Sequence, residues 1–144
     1  MAILNYTTTI EAQKTIHEIS AILAKAKVQA ILQEYDGFGN ISALNFRVPT
    51  EFGIMTFRLP ADAERVYKVI CRDKALPYSR RNIQQARRVA WRIVKAWVES
   101  QMAMVACGMV DMEQVFLPYA QSQDGSTLYE NLKARKFEQL ALPP

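Results

Sequence analysis

The sequence has little of what catalysis usually requires. Among its 144 residues there is one histidine, His17, and there are two cysteines, Cys71 and Cys107, without C-x-x-C spacing. A metal centre or redox pair therefore lacks ligands. No glycine-rich phosphate loop and no catalytic triad can be picked out. Glu34 and Asp36 are close in sequence, but no third acid stands near them to complete a metal site. No apolar run reaches the length of a membrane span, and the opening residues, with Glu11, His17 and Glu18 among them, do not form a secretory signal. The expectation is a cytoplasmic protein, not an enzyme, with no catalytic residue, no cofactor, no membrane segment, and both thiols reduced and buried.

What the chain does have is apolar bulk and unevenly placed positive charge. Half of its residues are hydrophobic, which suits one core, so residues 1–144 read as a single domain. The net charge is +4, yet residues 61–97 carry ten Lys/Arg against three acids, a local +7. Charge of one sign gathered on one segment points to an anionic partner, and says nothing of fold.

Turn and cap signals divide the chain. "AILNYTT" at 2–8 reads as an opening strand. Thr8 followed by Glu11 is a capping-box pattern ahead of Ile16, Ile19, Leu23 and Ala26, which predicts a helix near 9–26. Three strand-like runs follow, separated by the turns "DGFGN" at 36–40 and "PTEFG" at 49–53. Antiparallel pairing about Phe38 makes facing residue numbers sum to about 76, and pairing about Glu51 and Phe52 makes them sum to about 103. Both registers gather Val28, Ala30, Leu32, Leu44, Phe46, Val48, Met55, Phe57 and Leu59 on one apolar face, to be covered by the helices at 9–26 and 61–73. The opposite face is mixed, which suits a solvated or helix-covered face, or one that sets Tyr35, Arg47 and Arg58 around a small pocket for an anion. Pro60 precedes a second helix, Pro77 breaks the chain, and Ser79 caps a long helix from Arg80 to about Cys107, stopped by Gly108. Asp111 with Gln114, and Thr127 with Glu130, mark two more helix starts. The fold class is α+β: an N-terminal β-α-β-β-β-α two-layer unit with an antiparallel sheet over 1–74, then a long helix and two shorter C-terminal helices over 79–140.

On the long helix, Arg81, Gln85, Arg88, Arg92, Lys95 and Glu99 share one arc, and only Lys95 has an acid three or four positions away. Arg81, Arg88, Arg92 and Lys95, with Arg87 and Trp91 beside them, form the candidate site for DNA, RNA or another anionic partner, Trp91 being placed either to pack beneath one of the last two helices or to stack on a base. Glu113, Asp124, Glu130 and Glu138 of the C-terminal segments are the alternative counter-charges. No helix-turn-helix, zinc or RNP pattern appears, so sequence-specific readout is not indicated. Past Trp97, the residues Val98, Met102, Val105 and Met109 make the helix apolar nearly all round, which suits a homodimer. That stretch and "VFLPY" at 115–119 also suit a module that binds or inhibits a host protein.

The stretches "ILNYTT" (3–8), "EYD" (34–36), "FRLP" (57–60), "RVAWRIVKAWVESQMA" (88–103), "VFLPY" (115–119) and "LYENL" (128–132) together resemble a family of small uncharacterised proteins encoded in bacteriophages and prophage-like elements. The resemblance spans nearly the whole chain and carries over no residue roles. It implies a cytoplasmic protein of a mobile element, where nucleic-acid handling and interference with host defences are common tasks.

Overall fold

The computed structural model describes residues 3–144; Met1 and Ala2 lie outside the described residues. The elements run α1 (Ala12–Lys25), β1 (Ala30–Tyr35), β2 (Ile41–Thr50), β3 (Gly53–Arg58), α2 (Ala63–Arg72), α3 (Ile83–Ala106), α4 (Met112–Phe116) and α5 (Leu128–Ala134). Short 3-10 turns occupy Tyr78–Arg80 and Leu117–Tyr119. The protein thus mixes helices with an antiparallel three-stranded sheet of order β1-β2-β3. It divides into two compact units, residues 1–26 with 60–104, and residues 27–59 with 105–144, a partition that cuts across the halves drawn at 74 and 79 from sequence.

In the first unit the predicted opening strand at 2–8 is not formed among the described residues 3–8, Ala2 lying outside them. Tyr6 N donates to Ile3 O and Thr8 N to Asn5 O, with Asn5 at φ 63°, so the segment is a pair of turns. A strand needs a neighbour's free edge, and the described sheet contains no fourth member. The segment is fastened instead by Gln85 of α3, whose Nε2 donates to Tyr6 O at 3.1 Å and to Thr8 O at 2.9 Å. The Thr8–Glu11 capping box does not form either. Thr8 Oγ1 accepts from Ile10 N two residues on, and α1 starts only after Glu11. Asp62 caps α2, accepting from Arg65 N, and Asn82 rather than Ser79 caps α3, its Oδ1 accepting from Gln85 N at 2.9 Å. With 24 residues and a rise of about 1.5 Å each, α3 is about 36 Å long. Gly108, at φ 75°, follows its end, as a C-terminal glycine should. Ile70, Leu76 and Ala86 pack together at the junction of α2 and α3, with Ile3, Tyr6, Val66, Tyr67 and Ile83 against them.

In the second unit the two hairpins turn where the sequence places them. The β2–β3 register has the predicted sum throughout, from Asn45 opposite Arg58 to Thr50 opposite Gly53. Phe46 and Phe57 face one another with ring centroids 5.4 Å apart, and Phe116 of α4 packs on both, at 5.1 Å and 6.0 Å. This aromatic triad, all but inaccessible to solvent, is the centre of that unit's core. The β1–β2 register differs from the expectation. Tyr35 opposes Ile41 as predicted, but Glu34 opposes Ala43, so Ser42 is an extra residue in β2. Its hydroxyl turns back to donate to Glu34 O. One added residue moves every side chain of the strand to the other face. Ile31 and Gln33 therefore join Phe46 and Leu44, while Ala30 and Leu32 turn away, and Leu32 is 58% exposed. Val28 precedes the strand. The caps predicted for α4 and α5 are present: Asp111 N donates to Gln114 Oε1, and Thr127 and Glu130 bond reciprocally.

Both cysteines are exposed, not buried. Ile70 alone turns α2 inward at that level, which leaves Cys71 outside, and Cys107 lies past the end of α3.

Candidate functional site

The basic arc of α3 is where sequence reasoning put the functional site, and most of it is packed against α1 of the same unit. Arg88 Nη2 lies 3.2 Å from Glu11 Oε1. Arg92 Nη1 lies 2.9 Å from Glu18 Oε2 and donates also to Thr15 Oγ1 at 3.2 Å. Lys95 Nζ bridges Glu18 at 3.2 Å and Glu99 at 2.6 Å. The two helices run in the same direction, because Glu11 meets Arg88 and Glu18 meets Arg92 and Lys95. Glu11, Thr15 and Glu18 recur at intervals of four and three, which puts the groups that meet α3 on one side of α1, beside its buried residues Ile16, Ile19 and Leu23. Arg92 and Lys95 are each only 18% exposed in their side chains, so the expected open stripe does not exist at these positions. Its counter-charges are Glu11 and Glu18 rather than the C-terminal acids. The Lys95 and Arg92 side chains bonded to Glu18 hold its carboxyl below the usual range, and the Glu99 and Glu18 carboxylates hold the Lys95 ammonium above its usual value.

The other members of the predicted site are also engaged or covered. Arg81 donates from Nε to Leu76 O at 2.8 Å and from Nη2 to Lys74 O at 3.2 Å, closing the turn after α2. Gln85 is buried. Arg87 is half-buried. Trp91 is 3% exposed and cannot present a ring to a base. Four cations counted in the local +7 but not in the predicted site do face solvent: Arg65, Lys68 and Arg72 on the outer face of α2, at intervals of three and four, followed by Lys74. Asp62 lies 3.3 Å from Arg65 Nε, in a pair so exposed that it contributes little. Tyr78, 87% exposed, follows in the same connection. This unit carries twelve Lys/Arg against six acids, a net +6, and the other unit six against eight, a net −2.

The second unit has a concavity on the sheet face turned away from Phe46. Its floor is set by the register: Leu32, Asn45 and Arg58 in one row, Ala30, Arg47 and Thr56 in the next. Arg58 Nη1 reaches across β2 to Glu34 Oε2 at 3.1 Å, so Glu34 is an ion-pair partner and not half of a catalytic carboxylate pair. Asp36 has its own task, accepting from Phe38 N and Asn40 N in the first hairpin turn. Of the three residues predicted around a pocket, Arg47 lines the concavity and Arg58 is held at its side through Glu34. Tyr35 is not brought to it: the Ser42 bulge sends its side chain to the other face, where its hydroxyl donates to Gln33 Oε1 at 3.0 Å.

Residues 121–125 wall the concavity. Gln121 N donates to Thr56 O at 2.8 Å, and the loop beyond it is organised by Asp124, which accepts from Ser122 Oγ, Ser126 N and Ser126 Oγ. The Ser126 hydroxyl first, then that of Ser122 and the Ser126 amide, draw the Asp124 carboxyl down from 3.8 to about 2. A carboxyl with a depressed folded value contributes order above its unfolded pKa and loses it as pH falls through the folded one. The Ser126 amide resonance is therefore expected to shift with a midpoint near pH about 2; a midpoint near the ordinary 3.8 would show that the clamp does not hold the loop.

No protein-family model, curated protein or solved structure matches this chain. Among the described residues no group of three or more His, Cys, Asp or Glu is placed to hold a metal ion, and no helix is long and apolar enough to cross a membrane.

Proposed function

We propose that the protein is a non-enzymatic accessory protein that holds nucleic acid through its phosphate backbone, with the exposed face of α2 as the contact surface. The observation that supports the reading is the row Arg65, Lys68 and Arg72, solvent-facing on one side of α2 and continued by Lys74. Backbone binding needs several cations on one surface and gains its free energy from counterion release, which this arrangement supplies without base-reading groups. Tyr78 adds a ring on which an unpaired base can stack, which favours single strands. The reading takes up the resemblance to phage and prophage proteins, and with it an expected place of action in the cytoplasm during the life of a mobile element.

The test is fluorescence anisotropy with single- and double-stranded DNA across a salt series. For the wild type, log K is expected to fall with log salt at a slope of about −3, as for three or four phosphate contacts. The triple variant R65Q/K68Q/R72Q should bind weakly at low salt, with a slope reduced by about 2–3, and should unfold at the wild-type midpoint. No binding of either form of DNA at low salt refutes the reading and leaves an acidic host-protein surface as the partner of this face.

A further inference from the structure

We infer that the concavity on the Asn45 face of the sheet is a binding site for a small planar N–H-bearing anion of the nucleoside monophosphate class. This goes beyond the function proposed above, since every lining residue belongs to the unit without the basic face. The concavity has a volume of about 610 Å³, within the range of small-molecule sites. Its floor holds Asn45, 3% exposed, whose Oδ1 finds no partner among the described residues; shielded where it stands, the oxygen meets the hollow when the carboxamide turns about its terminal torsion, which is soft. A buried acceptor without a donor is costly in a finished fold, and is retained where a ligand completes it. The group that completes it must bring an N–H or O–H. A carboxamide also offers N–H donors beside its oxygen, so the edge it matches best pairs a donor with an acceptor, as the amino-and-N7 edge of adenine does.

Two further features set the rest of the ligand. Arg47 lies two residues along β2 on the same face, about 7 Å from Asn45 at strand spacing. It is exposed and in no ion pair described for this face, the nearby acid Glu34 being engaged by Arg58. It therefore calls for an anionic group at that distance from the donor edge. Leu32 and Ile54, lining the same hollow, are 58% and 59% exposed, large apolar side chains that a flat ring would cover. The wall at residues 121–125 is held by its own Asp124 clamp, so the site is largely formed before the ligand arrives. The ligand is thus apolar in its body, with a donor at one end and an anion at the other.

The test is calorimetric titration of the full chain with AMP, GMP, CMP and UMP, the parent nucleosides, and inorganic phosphate. At least one nucleoside monophosphate, AMP by the match above, should saturate at submillimolar concentration, with its nucleoside at least about tenfold weaker and phosphate alone not competing. Arg47→Gln should abolish the difference between nucleotide and nucleoside. Asn45→Leu should weaken both at least about tenfold with an unfolding midpoint no lower than that of the wild type. Saturation by none of the four nucleotides, equal competition by bare phosphate, or wild-type affinity in Asn45→Leu overturns the inference. Should Asn45→Leu fail to fold, Arg47→Gln alone decides, an unchanged nucleotide-to-nucleoside ratio overturning it.

Discussion

Replacing Phe116 with alanine is expected to cost about 3–5 kcal/mol, the usual range for removing a fully buried aromatic ring from a core. The side chain is 0% exposed and sits on Phe46 and Phe57, themselves 1% and 0% exposed. It meets Phe46 edge-on at 80° and Phe57 at 51°, geometries that add to plain burial. The helix that carries it, α4, has only five residues and cannot be stable alone, so its place depends on this ring. Urea unfolding measures the effect; a loss below about 1 kcal/mol would mean that the triad is not the centre of its core. Phe116→Leu, which refills most of the space, should recover more than half of the loss.

Replacing Gln85 with leucine, which keeps volume and removes both polar ends, is expected to destabilise by about 2–3 kcal/mol. Gln85 is 2% exposed, and it bonds two carbonyls of the opening segment, Tyr6 O and Thr8 O, while its Oε1 accepts from Arg88 Nη1. The substitution strands those groups away from other partners, and an unsatisfied buried polar group costs about 1–3 kcal/mol. Amide exchange at Tyr6 and Thr8 should accelerate along with the fall in the unfolding midpoint. Unchanged exchange there would show that the segment is held by Ile3 and Tyr6 packing alone.

How much of this was legible in the sequence depended on whether the deciding partner was local. The C-terminal caps are contacts over three residues and were read correctly, as was the β2–β3 register, which follows from a tight turn at Glu51 and Phe52. The β1–β2 register was read one residue out because a bulge at Ser42 leaves no compositional mark. Ala30, Ile31 and Leu32 are apolar in succession, so the pattern of the strand could not reveal which face was inward. The capping box at Thr8 was misread for a related reason, since Glu11 turns to an arginine of a distant helix. The sheet-face site was half legible: Arg47 and Arg58 were placed on the right face, whereas the buried carboxamide of Asn45 and the wall at 121–125 depend on a segment more than sixty residues away in the sequence.

The basic helix taught the same lesson most sharply. Three and four residues along α3 itself Arg88 and Arg92 have no acid; their partners lie on α1 and its N-cap, seventy-four or more residues earlier. The exposed cations of α2 stand out in the sequence only as part of the local +7, because a ten-residue helix with mixed charge reads as an ordinary solvated face.

The central claim is that the α3 cations clamp α1 while the α2 cations meet the anionic partner, and one variant tests it most directly. In R88Q/R92Q, the unfolding midpoint and the DNA affinity are measured on the same preparation, at a temperature where the variant remains folded. The account predicts a midpoint clearly below that of the wild type and an unchanged salt slope of DNA binding. A wild-type midpoint together with a slope lowered by about 2 would contradict it, and would return the binding site to α3.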